Sequence, residues 1–140
     1  MKMNRLPVNK RFQEHVRGAL QARFRCNDPE IYTENEDGAK RYIIDLFFVP
    51  DSGRADKIQD VIFYLDEAFI DRVRLGQKNR DGSYEAVVES NGDFVITVEV
   101  LIDGKSYTQQ MWLADMLEAG YADTIPSKSI QDAIRNIREN

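Results

Sequence analysis

The sequence predicts an all-β core, an antiparallel β-sandwich, with an amphipathic helix before it and a short helix after it. Between residues 30 and 117, apolar side chains recur with a period of two, which is the spacing of strands that bury one face. Asp-Gly and Asn-Gly pairs separate these runs, and the apolar residues near both termini follow helical spacing instead. A chain of 140 residues is expected to fold as a single domain, residues 1–140.

The first element predicted is an N-terminal amphipathic helix over residues 9–25. Asn9 is a suitable N-cap, and apolar residues then recur at helical spacing. They are Phe12, Val16, Ala19, Leu20 and Phe24. Asn27-Asp28-Pro29 ends the pattern, because the residue before a proline is pushed out of the helical region. We expect the apolar face of this helix to pack on the sandwich; docking on a partner is the alternative.

Strands are predicted wherever the alternation is clearest. These runs are Tyr42, Ile44, Leu46 and Phe48; Val61, Phe63 and Leu65; and Phe94, Ile96, Val98, Val100 and Ile102. Further strands are expected near residues 30–34, 71–76, 83–89 and 105–113. Asp103-Gly104, between two such runs, predicts a tight hairpin, since this pair tolerates the positive φ angles such turns require. Short strands separated by turns favour an antiparallel sandwich over a parallel α/β sheet.

The last element predicted is a short C-terminal helix over residues 127–139. Pro126 and Ser127 precede a segment with apolar residues on one face and charged residues on the other. The apolar face consists of Ile130, Ala133, Ile134 and Ile137.

Charge is distributed unevenly along the chain. Residues 1–25 carry seven basic side chains and one acidic one, a net charge of +6. The whole chain has a net charge of −5, so residues 26–140 carry −11. A basic arm on an acidic body is explained by docking of the arm on its own domain or by attraction to phosphate. The second reading makes the protein a nucleic-acid or anionic-surface adaptor, with Arg11, Arg17 and Arg23 on the basic helix.

Several classes of protein are not expected from this sequence. No apolar run approaches the roughly 18 residues of a membrane span, and the start lacks the features of a secretory signal, so a cytoplasmic location without membrane contact is expected. Cys26 is the single cysteine and His15 the single histidine, so no disulfide, metal site or cofactor site is predicted. No residue cluster indicates an enzyme.

Two corners of the predicted sandwich carry a family resemblance. The first is Leu65-Asp66-Glu67-Ala68-Phe69, where a strand ends, and the second is Ser90-Asn91-Gly92-Asp93-Phe94, where the next long strand begins. Both resemble corner motifs of the YEATS superfamily, and the match over residues 30–117 is closest to its prokaryotic branch. The resemblance implies an immunoglobulin-like β-sandwich and a non-catalytic recognition module that binds a peptide or protein partner, in what look like bacterial stress or conflict systems.

The resemblance also implies where a ligand would bind. Eukaryotic members hold an acylated lysine in loops at one end of the sandwich, with aromatic side chains and a hydroxyl. Here those positions are occupied by Asp66, Ala68 and Asn91, and of that set Phe69 alone is retained, which argues against acyl-lysine recognition by the usual route. The same loop end could hold a different ligand. The ligand-binding residues implied are Asp66, Glu67, Phe69, Ser90, Asn91 and Gly92. Homo-oligomerisation stays open.

Overall fold

The computed structural model describes residues 18–25, 32–34, 40–51 and 55–140. In these ranges, nine strands form two antiparallel sheets, and two helices follow them. The strands are β1 (Gly18–Phe24), β2 (Tyr32–Glu34), β3 (Lys40–Pro50), β4 (Ile58–Tyr64), β5 (Val73–Leu75), β6 (Gln77–Lys78), β7 (Tyr84–Ser90), β8 (Val95–Ile102) and β9 (Lys105–Trp112). The helices are α1 (Leu113–Gly120) and α2 (Lys128–Glu139), and a 3₁₀ turn at Ala55–Lys57 precedes β4.

The two sheets pack face to face as a sandwich. One has the order β1-β3-β7-β6, with β2 also paired to β3, and the other has the order β5-β4-β8-β9. The chain passes between the sheets at Gly76, whose N–H donates to the Val61 carbonyl at 2.7 Å. A Cβ at Gly76 would lie 2.8 Å from that carbonyl oxygen, so this crossing requires a residue without a side chain.

The core is built by the predicted alternation. Every member of the three apolar runs of β3, β4 and β8, from Tyr42 to Ile102, is buried, and the inward residues of both sheets form one continuous cluster. The prediction of strands near residues 30–34, 71–76, 83–89 and 105–113 is also confirmed. The hairpin at Asp103-Gly104 is confirmed too, with φ of 52° and 74° at its two central residues.

The N-terminal helix prediction is wrong over the residues that the structure describes. Residues 18–24 form β1, which pairs antiparallel with β3 from Gly18↔Pro50 to Phe24↔Ile44. Leu20, Ala22 and Phe24 are buried, and the residues between them are not, so the period is two. Leu20 and Phe24 fit both periodicities, and pairing with β3 decides between them because it satisfies the backbone along the whole strand. Residues 9–17 of the predicted helix lie outside the described ranges.

Helix α1 is not among the predicted elements, because the alternation predicts a strand near residues 105–113 and a sandwich that extends to residue 117. Its buried residues Leu113, Ala114, Met116, Leu117 and Gly120 follow helical spacing. The helix packs against β1, where a Cβ on Gly120 would lie 2.0 Å from the Ala22 carbonyl oxygen. Helix α1 thus joins the β9 side of one sheet to β1 of the other.

Helix α2 confirms the C-terminal prediction. Its predicted apolar face, Ile130, Ala133, Ile134 and Ile137, is buried, and the Ser127 side chain accepts the Ile130 N–H as an N-cap at 3.3 Å. Arg138 bonds Asp115 at 3.1 Å and also Glu118, which fastens α2 to α1. Burial alone would lower the pKa of Arg138, but these two carboxylates raise it above its ordinary value. Within the described ranges, neither helix has the length and apolar character needed to cross a bilayer.

Candidate functional site

The first predicted corner is a tightly bonded loop after β4. The Leu65 N–H donates to the Arg72 carbonyl at 2.7 Å and closes the base of the loop. Within it, the Asp66 carboxylate accepts the Ala68 N–H at 2.9 Å, and the Asp66 carbonyl accepts the Phe69 N–H at 3.0 Å. An aspartate that bonds a backbone N–H two residues on is a common turn-forming device, so Asp66 sets the shape of the loop.

The second predicted corner, between β7 and β8, is held in a similar way. The buried Ser90 hydroxyl donates to the Gly92 carbonyl at 2.9 Å and lies 3.2 Å from the Gly92 N–H. The Asp93 carboxylate accepts the Ala114 N–H at 2.9 Å and so satisfies one of the free donors at the start of α1. The side chain of the N-cap residue, Trp112, makes no capping hydrogen bond to the helix. The loop therefore depends on α1 for its position, and α1 depends on the loop.

An aromatic pair joins the two loops. The rings of Phe69 and Phe94 have centroids 5.0 Å apart and planes inclined by 49°. Phe94 is buried in the core, whereas Phe69 is half-buried and packs against the core from outside. Tilted pairs at this distance contribute about 1 kcal/mol beyond the area they bury. Phe94 is thus a core residue, and Phe69 keeps part of its surface exposed to solvent.

Between the two loops lies an open groove of about 580 Å³. Five of the six residues implied by the family resemblance line it: Asp66, Phe69, Ser90, Asn91 and Gly92. Glu67, the sixth, does not line the groove. Ile70 stands on its rim and is fully exposed. The structure therefore brings together residues 24 positions apart in the chain, through the antiparallel arrangement of β4 and β8.

Sequence reasoning missed four charged residues of the groove, namely Arg41, Asp71, Arg74 and Glu89. Arg41 reaches the groove because Tyr42 pairs with Ser90 across β3 and β7, a register that no local motif indicates. Arg41 and Glu89 lie 3.8 Å apart, with about half of each side chain exposed, and contribute little to stability. Arg74 donates from Nη1 to the Val87 carbonyl at 2.7 Å. In the described ranges, no three His, Cys, Asp or Glu side chains converge on a potential metal position.

The predicted basic N-terminal helix is not supported. Arg23 lies on β1, exposed on the side away from the core, with its guanidinium carbon 5.4 Å from the centre of the Tyr121 ring. The Tyr121 hydroxyl accepts the Phe24 N–H at 3.0 Å, and burial raises the pKa of this tyrosine. Arg11 and Arg17, like His15 and Cys26, fall outside the described ranges. Because Arg23 lies in a strand, the predicted basic helix with Arg11, Arg17 and Arg23 does not extend to Arg23.

Comparison with known proteins finds a likeness to solved structures. No protein-family model matches the chain, and no curated protein does. A solved structure of the Yaf9 YEATS domain recognizing an H3K122suc peptide is similar to this chain, with a TM-score of 0.46 and 15% sequence identity. The similarity covers 86% of this chain and 89% of that one.

Proposed function

We propose that this protein is a non-catalytic recognition module that binds a peptide or protein partner through the groove between its residue 66–72 and residue 90–94 loops. The observation that carries the proposal is the convergence of both loops on one open groove, with the half-buried aromatic ring of Phe69 in its wall and the fully exposed Ile70 on its rim. A volume of about 580 Å³ falls in the range of roughly 300–1,000 Å³ that is typical of ligand sites.

The rigidity of the groove supports binding. Asp66, Ser90 and Asp93 each bond backbone groups of their own or a neighbouring element, so both walls are held before any ligand arrives. A partner that enters a preformed groove loses less free energy to ordering of the protein. These bonds give the three side chains structural roles, which supports binding over catalysis.

The exposed apolar side chains support a polypeptide partner. Ile70 is fully exposed beside the half-buried Phe69, and a ligand that covers both would remove apolar area from water. Fully burying an isoleucine contributes about 1.5–3 kcal/mol, a factor of ten or more in affinity. The charged rim of Arg41, Asp71 and Glu89 fits the polar edge that surrounds an apolar contact in protein interfaces.

The biological setting belongs to the same proposal. The corner motifs at Leu65–Phe69 and Ser90–Phe94 support a YEATS-like, immunoglobulin-like sandwich of the prokaryotic branch. On that resemblance the module acts in the cytoplasm, in a bacterial stress or conflict system, and takes its partner from that system.

A displayed library of random peptides tests the proposal. We expect the protein to retain peptides that compete for one site, and Ile70→Ser to weaken their binding about tenfold. Ile125→Ser is the matched control, because Ile125 is 97% exposed and does not line the groove. Peptides that bind wild type, Ile70→Ser and Phe69→Ala with equal affinity would place recognition elsewhere and refute the proposal, as would a library from which nothing is retained.

A further inference from the structure

A second hollow of about 690 Å³ adjoins the groove. It lies between β5 and the outer side of β7, and it shares two lining residues, Asp71 and Arg74, with the groove. The hydrogen bond from Arg74 Nη1 to the Val87 carbonyl, 2.7 Å long, spans from β5 to β7 at the boundary between the two. The groove and the second hollow are therefore neighbours that meet at one tethered side chain.

Exposed apolar side chains follow this surface from one hollow to the other. Ile70, Val73 and Leu75 are 100%, 53% and 68% exposed, and they account for three of the five large exposed apolar residues in the described ranges. Val73 and Leu75 stand on the same side of β5, two residues apart, and both line the second hollow. Strand β5 is the first strand of its sheet, so one of its edges carries no strand partner among the described residues.

Carboxylates outnumber cations along the same path. Asp66, Asp71, Glu85, Glu89 and Asp93 line the two hollows, against Arg25, Arg41 and Arg74. Arg25 pairs with Asp45 at 2.9 Å, and Arg41 lies 3.8 Å from Glu89. The backbone hydrogen bonds of Asp66, Asp93 and Arg74 leave the charges of these three side chains in place. The surface offers a partner more negative than positive charge, which favours a cationic ligand.

We propose that the groove and the second hollow form one docking surface for an extended, positively charged polypeptide segment with apolar side chains at alternate positions. The segment fits because alternate side chains of an extended chain point the same way, as Val73 and Leu75 do on β5. Its basic residues meet Asp71 and Glu89, and its apolar residues cover Ile70, Val73 and Leu75. This inference rests on the proposed function and specifies the partner of the same groove.

Peptide length separates this inference from the function on which it rests. The probes are peptides of about 16 residues selected on the wild-type protein, since an extended chain of that length rises about 3.3 Å per residue and can cross both hollows. Truncation from either end should lower affinity about tenfold or more. Leu75→Ser should lower the affinity of the long peptide about tenfold. It should not change the affinity of a truncated peptide whose binding is still weakened by Ile70→Ser. Ile125→Ser is again the control.

Charge provides the second arm of the test. Asp71→Asn and Glu89→Gln together should weaken the selected peptide about tenfold and reduce the salt dependence of its binding. Asp103→Asn is the control, because Asp103 is exposed at the far end of β8 and asparagine tolerates its φ of 52°. Acetylating the lysines of the selected peptide should have the same effect as the two groove variants.

The outcomes are distinguishable. If no selected peptide responds to Ile70→Ser or Phe69→Ala, the proposed function fails, and this inference fails with it. If the peptides respond to Ile70→Ser but tolerate truncation and Leu75→Ser, the groove is the whole site and the extended surface is refuted. If acetylated and unmodified peptides bind equally well, the requirement for positive charge is refuted, while the proposed recognition function stands.

Discussion

Replacing Gly120 by alanine should destabilise the fold more than any ordinary surface substitution. Gly120 is the last residue of α1 and is buried against β1, and a Cβ there would lie 2.0 Å from the Ala22 carbonyl oxygen and 3.0 Å from its carbonyl carbon. Contacts of a Cβ below 3.0 Å essentially do not occur, so α1 and β1 would have to separate by about 1 Å. No flexible side chain is present to yield, because both obstructing atoms are backbone.

The magnitude follows from the effects that oppose one another. Overpacking a well-filled core costs about 1–3 kcal/mol, and separating a helix from a strand adds the loss of contacts along both. Alanine gains up to about 1 kcal/mol over glycine inside a helix, and less at its last residue. We expect a net loss of at least about 2 kcal/mol in the free energy of unfolding. With a urea m-value of about 2 kcal/mol/M, the midpoint should fall by about 1 M.

Urea denaturation followed by circular dichroism measures this shift, and Gly92→Ala is the matched control. A Cβ at Gly92 would lie 3.3 Å from the carbonyl oxygen of Asn140, a contact that a shift of a few tenths of an ångström relieves. That variant should stay within about 0.5 kcal/mol of wild type. Equal midpoints for the two alanine variants would show that α1 does not lie against residues 18–24, and the assignment of those residues to a strand would fall with it.

Two further changes test other contacts. Asp93→Ala should lower the free energy of unfolding by about 1 kcal/mol in urea denaturation, because it removes the acceptor for the Ala114 N–H at the start of α1. The control, Asp123→Ala in an exposed turn, should lower it by less than about 0.5 kcal/mol. Similar losses for the two variants would contradict the capping role of Asp93. Glu99 accepts hydrogen bonds from Ser106 and from Tyr64, which lower its pKa below 4.5. Stability from these bonds should therefore be fully present above pH 4.5 and be lost as the pH falls through the lowered value, so Glu99→Gln should flatten this part of the urea pH profile, whereas the exposed Glu139→Gln should not.

The elements predicted correctly are those whose signal is local. Strand β8 buries every second residue from Ile96 to Ile102 and needs no knowledge of its neighbours. The hairpin at Asp103-Gly104 depends on two residues that accept positive φ, and helix α2 on one apolar face and the cap at Ser127. In each of these elements, side-chain periodicity and backbone preference indicate the same conformation.

The elements predicted wrongly are those that distant contacts decide. Leu20 and Phe24 are four residues apart, a separation that places two side chains on the same face of a helix and also on the same face of a strand. Only the pairing with β3 resolves this ambiguity. Helix α1 could not be recognised from the sequence because Trp112 and Leu113 continue an apolar run. In addition, its N-terminal cap comes from Asp93, 21 residues before Ala114. No motif search within a short window could find that cap.

The candidate site also contains residues that a local sequence pattern indicates and residues that it does not. Asp66 and Ser90 could be predicted from the sequence because each side chain shapes the turn in which it lies, and for that reason substituting them would disturb the structure along with any binding. Ile70, Asp71 and Leu75 have side chains that make no described hydrogen bond or core contact, and no local pattern singled them out. Exposing large apolar side chains to water contributes nothing to the stability of a fold. These residues are therefore where recognition can be separated from folding, and variants at Ile70 and Leu75 should change binding while leaving the urea midpoint within about 0.5 kcal/mol of wild type.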